Sequence, residues 1–525
     1  MIYKLYLSAF CILFIVGYFF GKDDIRKTSN TVDIIFCLAV ALIASTFFSL
    51  YPLGNDYPLT DSSVFIYTGK KMLQGNIPYK DFFDHKGILL YFIQCLGLLI
   101  SPGNFNGIWI IEVLNLSITT WFLFKISGLF SKDKIVRYLA VIATIIICGL
   151  RCYEGGNLTE EYALPWISYA IYIFLKYFKN FKYRFRDIIG IGVGFAIVSL
   201  LRVNMVAIWA AVMPIIFIRM LYRKQFKELG NCAIGFMIGL LVVYLPVFAY
   251  LFHTECLNDM IRYYITFNFQ YSGSFDWKNV AQAIVEFMKH MWPVMIAIVI
   301  SLVFEYKNRL ILISLWMLAI SLVLAYMNGI MLKHYGIVTL PIFVIWFICA
   351  ITQLYKLVDL KVKIQFKISD INEGIFIIGL VLSVVMAFVL KSEMTKEILG
   401  VPEQDVFSEE VSVYLAENTT GEDDVLIIGN DVKYYLISER ETENKFFYQT
   451  PPINISYELY EEFISELKRC ESDFIIVTGN KEDCLSKGNN LGHVCQYLEL
   501  LSEEKSYKCQ EYGDFYAYVK SPKDF

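Results

Sequence analysis

Long apolar runs separated by short polar stretches fill most of this chain of 525 residues. Such runs are typical of helices that cross a membrane, because about 20 apolar residues span the hydrocarbon core. The first run lacks a cleavage site of small residues, so we expect a retained helix and not a signal peptide. The pattern predicts a polytopic α-helical membrane protein with about 12 spans, at residues 3–20, 31–53, 107–129, 137–150, 162–177, 187–200, 205–221, 231–252, 291–305, 310–327, 336–354 and 371–390.

The chain after residue 390 has a different pattern, in which short strand-like and helix-like stretches alternate. These stretches are Asp424–Ile428, Tyr457–Lys468, Asp473–Val477, Leu491–Leu501 and Phe515–Val519. The alternation predicts a small α/β domain. We therefore expect an extra N-terminal span with a cytoplasmic loop (1–30), a transmembrane body (31–390) and a soluble α/β domain (391–525).

Composition and charge agree with this division. The chain is 57% hydrophobic and 18% charged, whereas soluble proteins carry about 25% charged residues. Residues 401–525 contain 26 acidic and 11 basic side chains, and residues 1–400 contain 24 and 35. A basic membrane body therefore continues into an acidic tail.

Basic residues also predict the topology. They cluster in alternate loops, and the positive-inside rule places those loops in the cytoplasm. The other loops and the tail then face the extracytoplasmic side. The apolar run 87–100 has 14 residues, which is too short to span. We expect it to be an interfacial or re-entrant helix within a first outer loop at residues 54–104.

The first outer loop carries the densest group of candidate residues. Asp61 begins an amphipathic stretch that we expect to lie on the membrane as a helix. Its carboxylate suits a general base for an acceptor hydroxyl, although an Asp at a helix start also has a purely structural use. Lys86 is suited to bind a phosphate. Tyr79, Asp84 and His85 are candidate substrate-binding residues. The structural alternative is a solvated turn whose Lys reaches the interface.

Two acids begin the span after the next outer loop. Glu160 and Glu161 are candidate catalytic residues, although acids are ordinary at a helix start. Asp61 and Glu161 are also candidate oxygen ligands for a divalent cation, Mg²⁺ or Mn²⁺.

Further cationic side chains lie at the outer ends of later spans. Arg202 interrupts an apolar stretch, and a guanidinium at that depth needs an anionic partner. Lys333 and His334 open another span, next to the candidate substrate-binding residue Tyr335. With Lys86 they form a cationic set that suits a lipid-linked phosphate.

The spacing in the first outer loop resembles that of a known family. The residues Asp61-x3-Phe65, Met72-Leu73-x-Gly75 and Pro78-Tyr79-x-Asp81-x2-Asp84-x-Lys86-Gly87 resemble the first outer loop of bacterial GT-C glycosyltransferases. These membrane enzymes are related to aminoarabinose transferase and protein O-mannosyltransferase (glycosyltransferase family 39). Ile88 replaces the usual proline. Weaker matches to the family's second acid, basic residue and His-Tyr pair are Glu160 or Glu161, Arg202, and His334-Tyr335.

The resemblance implies a GT-C-like fold and the inverting transfer of a sugar from a polyprenyl-phosphate donor. The acceptor would be an extracytoplasmic glycan, lipid or protein, Asp61 the general base, and the cationic set the binder of the donor phosphate. Two other classes stay open. A membrane polysaccharide polymerase or ligase of another class would have its largest outer loop in mid-chain. A flippase or transporter would favour repeated halves and polar residues at mid-membrane.

Overall fold

The computed structural model describes residues 29–54, 57–271, 273, 276–362, 409–479, 481–513 and 515–521. The predicted spans 3–20 and 371–390 and the predicted boundary at residue 390 lie outside the described residues. Two compact units are present. The first, called the membrane unit, comprises the described residues of Met1–Gly54, Trp109–Pro246 and Phe275–Glu403. The second, called the loop–tail unit, comprises those of Asn55–Ile108, Val247–Ser274 and Gln404–Phe525.

The membrane unit is helical, since a helix satisfies all its backbone hydrogen bonds internally in lipid. Its helices, two of which extend past the limits of the unit, are Ser29–Ser45, Asn106–Ser127, Lys134–Ile142, Thr159–Asn180, Phe185–Ser199, Ala207–Tyr222, Phe226–His253, Trp277–His290, Trp292–Glu305, Arg309–Ala325 and Leu340–Val362. Shorter helical turns lie at Ala143–Gly149, Val203–Val206 and Lys333–Thr339. Each predicted span within the described residues overlaps a helix, although the helix within 31–53 ends at Ser45.

By length and composition, the described helices able to cross a membrane are Asn106–Ser127, Val203–Tyr222, Phe226–His253 and Lys333–Leu357. Trp277–His290 and Trp292–Glu305, which meet at a bend of 92°, add a fifth if they form one broken span. Phe185–Ser199 and Arg309–Ala325 have only 15 and 17 residues, and Thr159–Asn180 is charged at both ends. The chain is a multi-pass membrane protein, but the predicted total of about 12 spans is not confirmed.

The core of the membrane unit lies around the span Lys333–Leu357, in which 78% of the apolar window is buried, against 17% for Phe226–His253. The latter helix still meets a neighbouring helix closely at one point. A Cβ added to Gly239 would lie 2.2 Å from the carbonyl oxygen of Ile189. Small residues allow membrane helices this close an approach.

The tail contributes a four-stranded sheet. Its strands are β1 (Val425–Ile428), β2 (Phe474–Thr478), β3 (Tyr507–Glu511) and β4 (Phe515–Lys520), in the order β1-β2-β4-β3. β1 and β2 are parallel, and the other two pairs are antiparallel. Helices lie at Glu409–Asn418, Lys433–Ser438, Pro452–Ile455, Tyr457–Cys470, Lys481–Ser486 and Asn490–Glu503. The predicted small sheet is therefore present.

The rest of the loop–tail unit comes from the first outer loop and from a segment in mid-chain. Helices Thr60–Leu73 and Ile88–Ile100 belong to the loop, and the helical segments Leu257–Met260, Ile261–Thr266 and Phe267–Tyr271 to mid-chain. Aromatic rings join the three parts. The buried ring of Phe83 stacks on Phe446 at 5.0 Å and meets Tyr263 edge-on at 5.1 Å. Loop and tail thus share one core.

Candidate active site

Asp61 lies in the first turn of helix Thr60–Leu73, in the loop–tail unit. Leu59 precedes this helix in an extended conformation, so Asp61 is not the capping residue. A carboxylate in the first turn still interacts favourably with the helix dipole. Asp61 is half-buried, and its charge acts on the hydroxyl of Tyr448. It therefore lies within electrostatic range of the cluster around Asp84.

The helix that carries Asp61 packs against the tail. Ser62 to Gly69 are buried, and the ring of Tyr67 stacks on Tyr435 at 4.9 Å. The ammonium of Lys70 pairs with Glu441 at 3.0 Å. The expected amphipathic helix is present. Phe65, one of its apolar residues, is buried within the loop–tail unit, whereas Leu73 is exposed.

Asp84, His85 and Lys86 form a connected chain of polar contacts with one tail residue, Tyr448. The Tyr448 hydroxyl donates to Oδ1 of the buried Asp84 at 2.7 Å and lies 3.0 Å from Nδ1 of His85. Nε2 of His85 lies 3.0 Å from Nζ of Lys86. Lys86 is half-buried and forms no salt bridge with any carboxylate in the described part of the chain. Its ammonium is thus available for an anion.

Tyrosines hold the backbone at this point. The hydroxyl groups of Tyr79 and Tyr91 both donate to the carbonyl oxygen of Lys86, at 2.7 and 2.9 Å. Tyr79 is fully buried and has a φ of 67°, a left-handed conformation that non-glycine residues adopt rarely. These contacts fix the main chain from which the Lys86 side chain extends.

The environment of Asp84 opposes its charge. Burial raises the pKa of this carboxyl above its usual range, and the positive charge of Lys86 and the hydrogen bond from Tyr448 lower it only in part. Its Oδ2 atom is buried and accepts no hydrogen bond from the described residues. Such a perturbed buried acid is typical of functional sites.

In the membrane unit, Glu160 and Arg202 form a buried ion pair. The guanidinium also lies over the ring of Tyr335, at 4.3 Å from its centre. The side chains of Arg202 and Glu160 are 16% and 4% exposed. The anionic partner expected for Arg202 is thus Glu160.

His334 has a carboxylate partner of its own. Its Nδ1 atom contacts the Glu154 carboxylate, which comes from the loop before helix Thr159–Asn180. Its ring meets Tyr335 edge-on at 4.8 Å. Lys333 is half-buried and forms no ion pair with a described carboxylate. Within the membrane unit, four predicted residues therefore lie together, namely Glu160, Arg202, His334 and Tyr335.

Glu161 is fully buried, and neither of its carboxylate oxygens has a hydrogen-bond partner among the described residues. Glu112 is also fully buried and interacts with Glu161 electrostatically. One oxygen of Glu112 accepts a hydrogen bond from the main-chain N–H of Asn157, at 2.5 Å. The outer loop that contains Asn157 is thereby hydrogen-bonded to a carboxylate within the apolar helix Asn106–Ser127.

The predicted cation ligands, Asp61 and Glu161, belong to different units. Among the described residues no group of three or more His, Cys, Asp or Glu side chains could hold a metal ion. The divalent cation remains a prediction. So do the roles of Asp61, Glu160 and Glu161, because the structure gives their positions and not their chemistry.

Sequence reasoning missed three residues of these clusters. Glu112 had a clear signal, since an ionisable side chain within an apolar span is a functional candidate. For Glu154, which lies in an outer loop, the only sequence signal was its charge. Tyr448 carried no sequence signal, because its partner Asp84 is 364 residues away in the chain.

A family model described as "Putative competence-induced protein Ccs4 N-terminal domain" matches residues 22–396, well over half of the chain. The chain belongs to this Ccs4 family. The description of the Ccs4 family names no reaction. A search of curated proteins finds no match to this Ccs4-family sequence.

Solved structures give the fold of this Ccs4-family chain. Two crystal structures of ArnT from Cupriavidus metallidurans, one bound to undecaprenyl phosphate and one apo, match it with a TM-score of 0.54 each. Their identities are 9% and 10%, and the matches cover 95% and 93% of this chain and 99% of ArnT. A weaker match, with a TM-score of 0.47 and 10% identity, covers 94% of this chain and 74% of the Archaeoglobus fulgidus oligosaccharyltransferase. ArnT is a GT-C glycosyltransferase, so the predicted GT-C-like fold is confirmed.

Proposed function

We propose that this protein is an inverting glycosyltransferase that takes a sugar from a polyprenyl-phosphate donor. The acceptor is a glycan, lipid or protein outside the cytoplasm. The fold supports this reading, since ArnT was solved bound to undecaprenyl phosphate. The observation that carries the proposal is that a carboxylate, Asp61, and a cation, Lys86, belong to one compact unit. The charge of Asp61 acts on Tyr448, and Tyr448 contacts Lys86 through His85.

Asp61 is the proposed general base. It accepts the proton of the acceptor hydroxyl while that oxygen bonds to the anomeric carbon of the sugar. The bond between this carbon and the donor phosphate breaks in the same displacement, so the configuration inverts. A base must come within hydrogen-bond reach of the proton it takes, and the half-buried position of Asp61 leaves it accessible.

Lys86 stabilises the phosphate as it departs. Its side chain is half-buried, its ammonium has no described carboxylate partner and contacts Nε2 of His85, and its main-chain carbonyl is held by Tyr79. Preorganised charge at the developing anion is commonly the largest catalytic term. The buried Asp84 supports this cluster through its hydrogen bonds with Tyr448 and the main chain of His85.

The cations of the membrane unit differ in whether a carboxylate already pairs with them. Lys333 has no described carboxylate partner and stays a candidate for binding the donor phosphate. Arg202 and His334 are already paired with Glu160 and Glu154, so either would share its charge between two anions. Tyr335 orients Arg202 through its ring.

A divalent cation, Mg²⁺ or Mn²⁺, is the cofactor part of the proposal. The fully buried carboxylate of Glu161 suits a hard cation, and Asp61 is a separate candidate ligand in the loop–tail unit. When bound, such a cation would supply positive charge to the leaving phosphate. The active site and the tail are placed on the extracytoplasmic side of the cell membrane, by the charge distribution of the loops.

The test compares Asp61→Asn with Asp81→Asn in the same loop. Asp81 is exposed and accepts a hydrogen bond only from the main chain of Ile77 in the described structure, a contact that Asn preserves. The donor is the lipid-linked sugar isolated from a deletion strain. We expect turnover to fall by about 10² to 10⁴-fold in Asp61→Asn and to stay near wild type in Asp81→Asn. Normal turnover in Asp61→Asn, or no accumulated lipid-linked sugar, would contradict the proposal.

A further inference from the structure

Tyr448 is the tail residue that reaches the Asp84–His85–Lys86 cluster. Its side chain is 3% exposed, and its hydroxyl contacts both Asp84 and His85. Both contacts join residues more than 360 positions apart in the sequence. A hydroxyl buried between an acid and an imidazole has few arrangements that satisfy every donor and acceptor.

The contacts fix the direction of each hydrogen bond. A lysine ammonium can only donate, so Nε2 of His85 must accept from Lys86. The neutral imidazole then carries its proton on Nδ1 and donates it to the Tyr448 oxygen. The hydroxyl proton of Tyr448 in turn goes to Oδ1 of Asp84, which also accepts from the main-chain N–H of His85 at 2.7 Å. The chain runs in one direction, from Lys86 to Asp84.

Neighbouring groups hold the His85 ring in the orientation that this chain needs. Tyr271 stacks on it at 5.5 Å with an interplanar angle of 23°, and Phe267 meets it edge-on at 5.6 Å. The Asn268 side chain donates to the His85 carbonyl oxygen at 2.7 Å. The ring is therefore restrained on both faces, and the proton on Nδ1 depends on the acceptor that Tyr448 provides.

The tail segment before Tyr448 is itself anchored to the loop. The main-chain N–H of Phe83 donates to the carbonyl oxygen of Lys445 at 2.8 Å. The ammonium of Lys71 donates to the carbonyl oxygen of Thr442, also at 2.8 Å. Main-chain contacts of this kind set the position of Tyr448 independently of its own hydroxyl.

We propose that Tyr448 is a positioning residue through which the tail completes the phosphate-binding site. By accepting from Nδ1 it keeps His85 in the tautomer whose Nε2 receives one proton of Lys86, and this aims the other N–H groups of the ammonium at the donor phosphate. The inference rests on the proposed function, in which Lys86 binds that phosphate. Without the Tyr448 hydroxyl, Nδ1 of His85 can turn to Asp84 Oδ1, now 3.5 Å away.

The test uses the full-length protein in detergent, with ¹⁵N-labelled histidine. The chain has 5 His residues, and His85→Gln identifies the signal of interest. We expect the Nδ1–H tautomer in the wild type and altered ¹⁵N shifts of the His85 ring in Tyr448→Phe, since Nδ1–H must then turn to Asp84. The wild-type spectrum tests the arrangement itself, so a Tyr448→Phe variant that fails to fold does not remove the test.

Binding of undecaprenyl phosphate supplies the second measurement. Loss of one hydrogen bond of about 1 kcal/mol corresponds to roughly 5- to 10-fold weaker binding in Tyr448→Phe. Tyr435→Phe is the matched control, because its buried hydroxyl accepts a hydrogen bond from the main-chain N–H of Ile427 within the tail. Its affinity should stay at the wild-type level.

Two results would overturn the inference: an Nε2–H tautomer in the wild type, or unchanged affinity in Tyr448→Phe. Neither measurement requires sugar transfer. A failure here is therefore distinct from a failure of the Asp61→Asn experiment, which tests the proposed reaction.

Discussion

Removing the carboxylate of Glu160 should destabilise the membrane unit strongly. Glu160 is 4% exposed and its partner Arg202 16%, so solvent screens the pair little. Breaking a buried pair by removing one partner costs about 3–5 kcal/mol, because the other charge stays buried alone. The ring of Tyr335 lies 4.3 Å from the guanidinium and retains a cation–π contribution of about 0.5–2 kcal/mol. We expect Glu160→Gln to lower the free energy of unfolding by about 3 kcal/mol, the lower end of the range for a broken buried pair.

The assay is reversible unfolding in mixed micelles, followed by tryptophan fluorescence. The double variant Glu160→Leu/Arg202→Met is the informative control, because replacing a whole buried pair by apolar residues is commonly neutral or stabilising. It should be more stable than Glu160→Gln. This order separates the cost of an orphaned charge from a general loss of packing.

A Glu160→Gln variant as stable as the wild type would refute this reasoning. Glu160 would then not be needed as the partner of Arg202 and would be free for a role in catalysis. If the loss is observed, reduced transfer by Glu160→Gln must be expressed per folded molecule before any catalytic role is assigned.

Two other predictions concern Asp84 and Gly239. Burial raises the Asp84 pKa above its reference of 3.8, so the folded state binds this proton more tightly than the unfolded state. Stability should therefore fall as pH rises through the window above about 4. Asp84→Asn should remove this pH dependence of the thermal-melt midpoint, and an identical slope in both proteins would contradict the prediction. Gly239→Ala should lower the free energy of unfolding by about 1–3 kcal/mol, because the new Cβ would lie 2.2 Å from the carbonyl oxygen of Ile189. Gly230→Ala is the control in the same helix and should change stability little, because open space surrounds that position. Equal unfolding midpoints for the two variants would contradict the close contact.

The helices were predictable from the sequence because their signal is local. Every predicted span among the described residues overlaps a helix, and β1, β2 and β4 lie where strands were predicted. β3 was missed because its sequence, YKCQE, is mostly polar and only its first residue, Tyr507, is buried. An edge strand of this kind has no apolar alternation to reveal it.

The site was predictable only in part. Local spacing identified Asp61, Asp84, His85 and Lys86, and membrane depth indicated that Arg202 needs an anion. The identity of that anion, and the contribution of Tyr448, depend on contacts between residues far apart in the chain. No periodicity or motif reports such pairs.

The three-part origin of the loop–tail unit has a consequence for biosynthesis. The first outer loop leaves the ribosome long before Tyr448, which follows Asp84 by 364 residues. Contacts of such long sequence separation form late and slowly. The Asp84–His85–Lys86 cluster therefore lacks its Tyr448 contacts until the chain has passed residue 448. The proposed phosphate site is thereby completed only in chains translated beyond this residue.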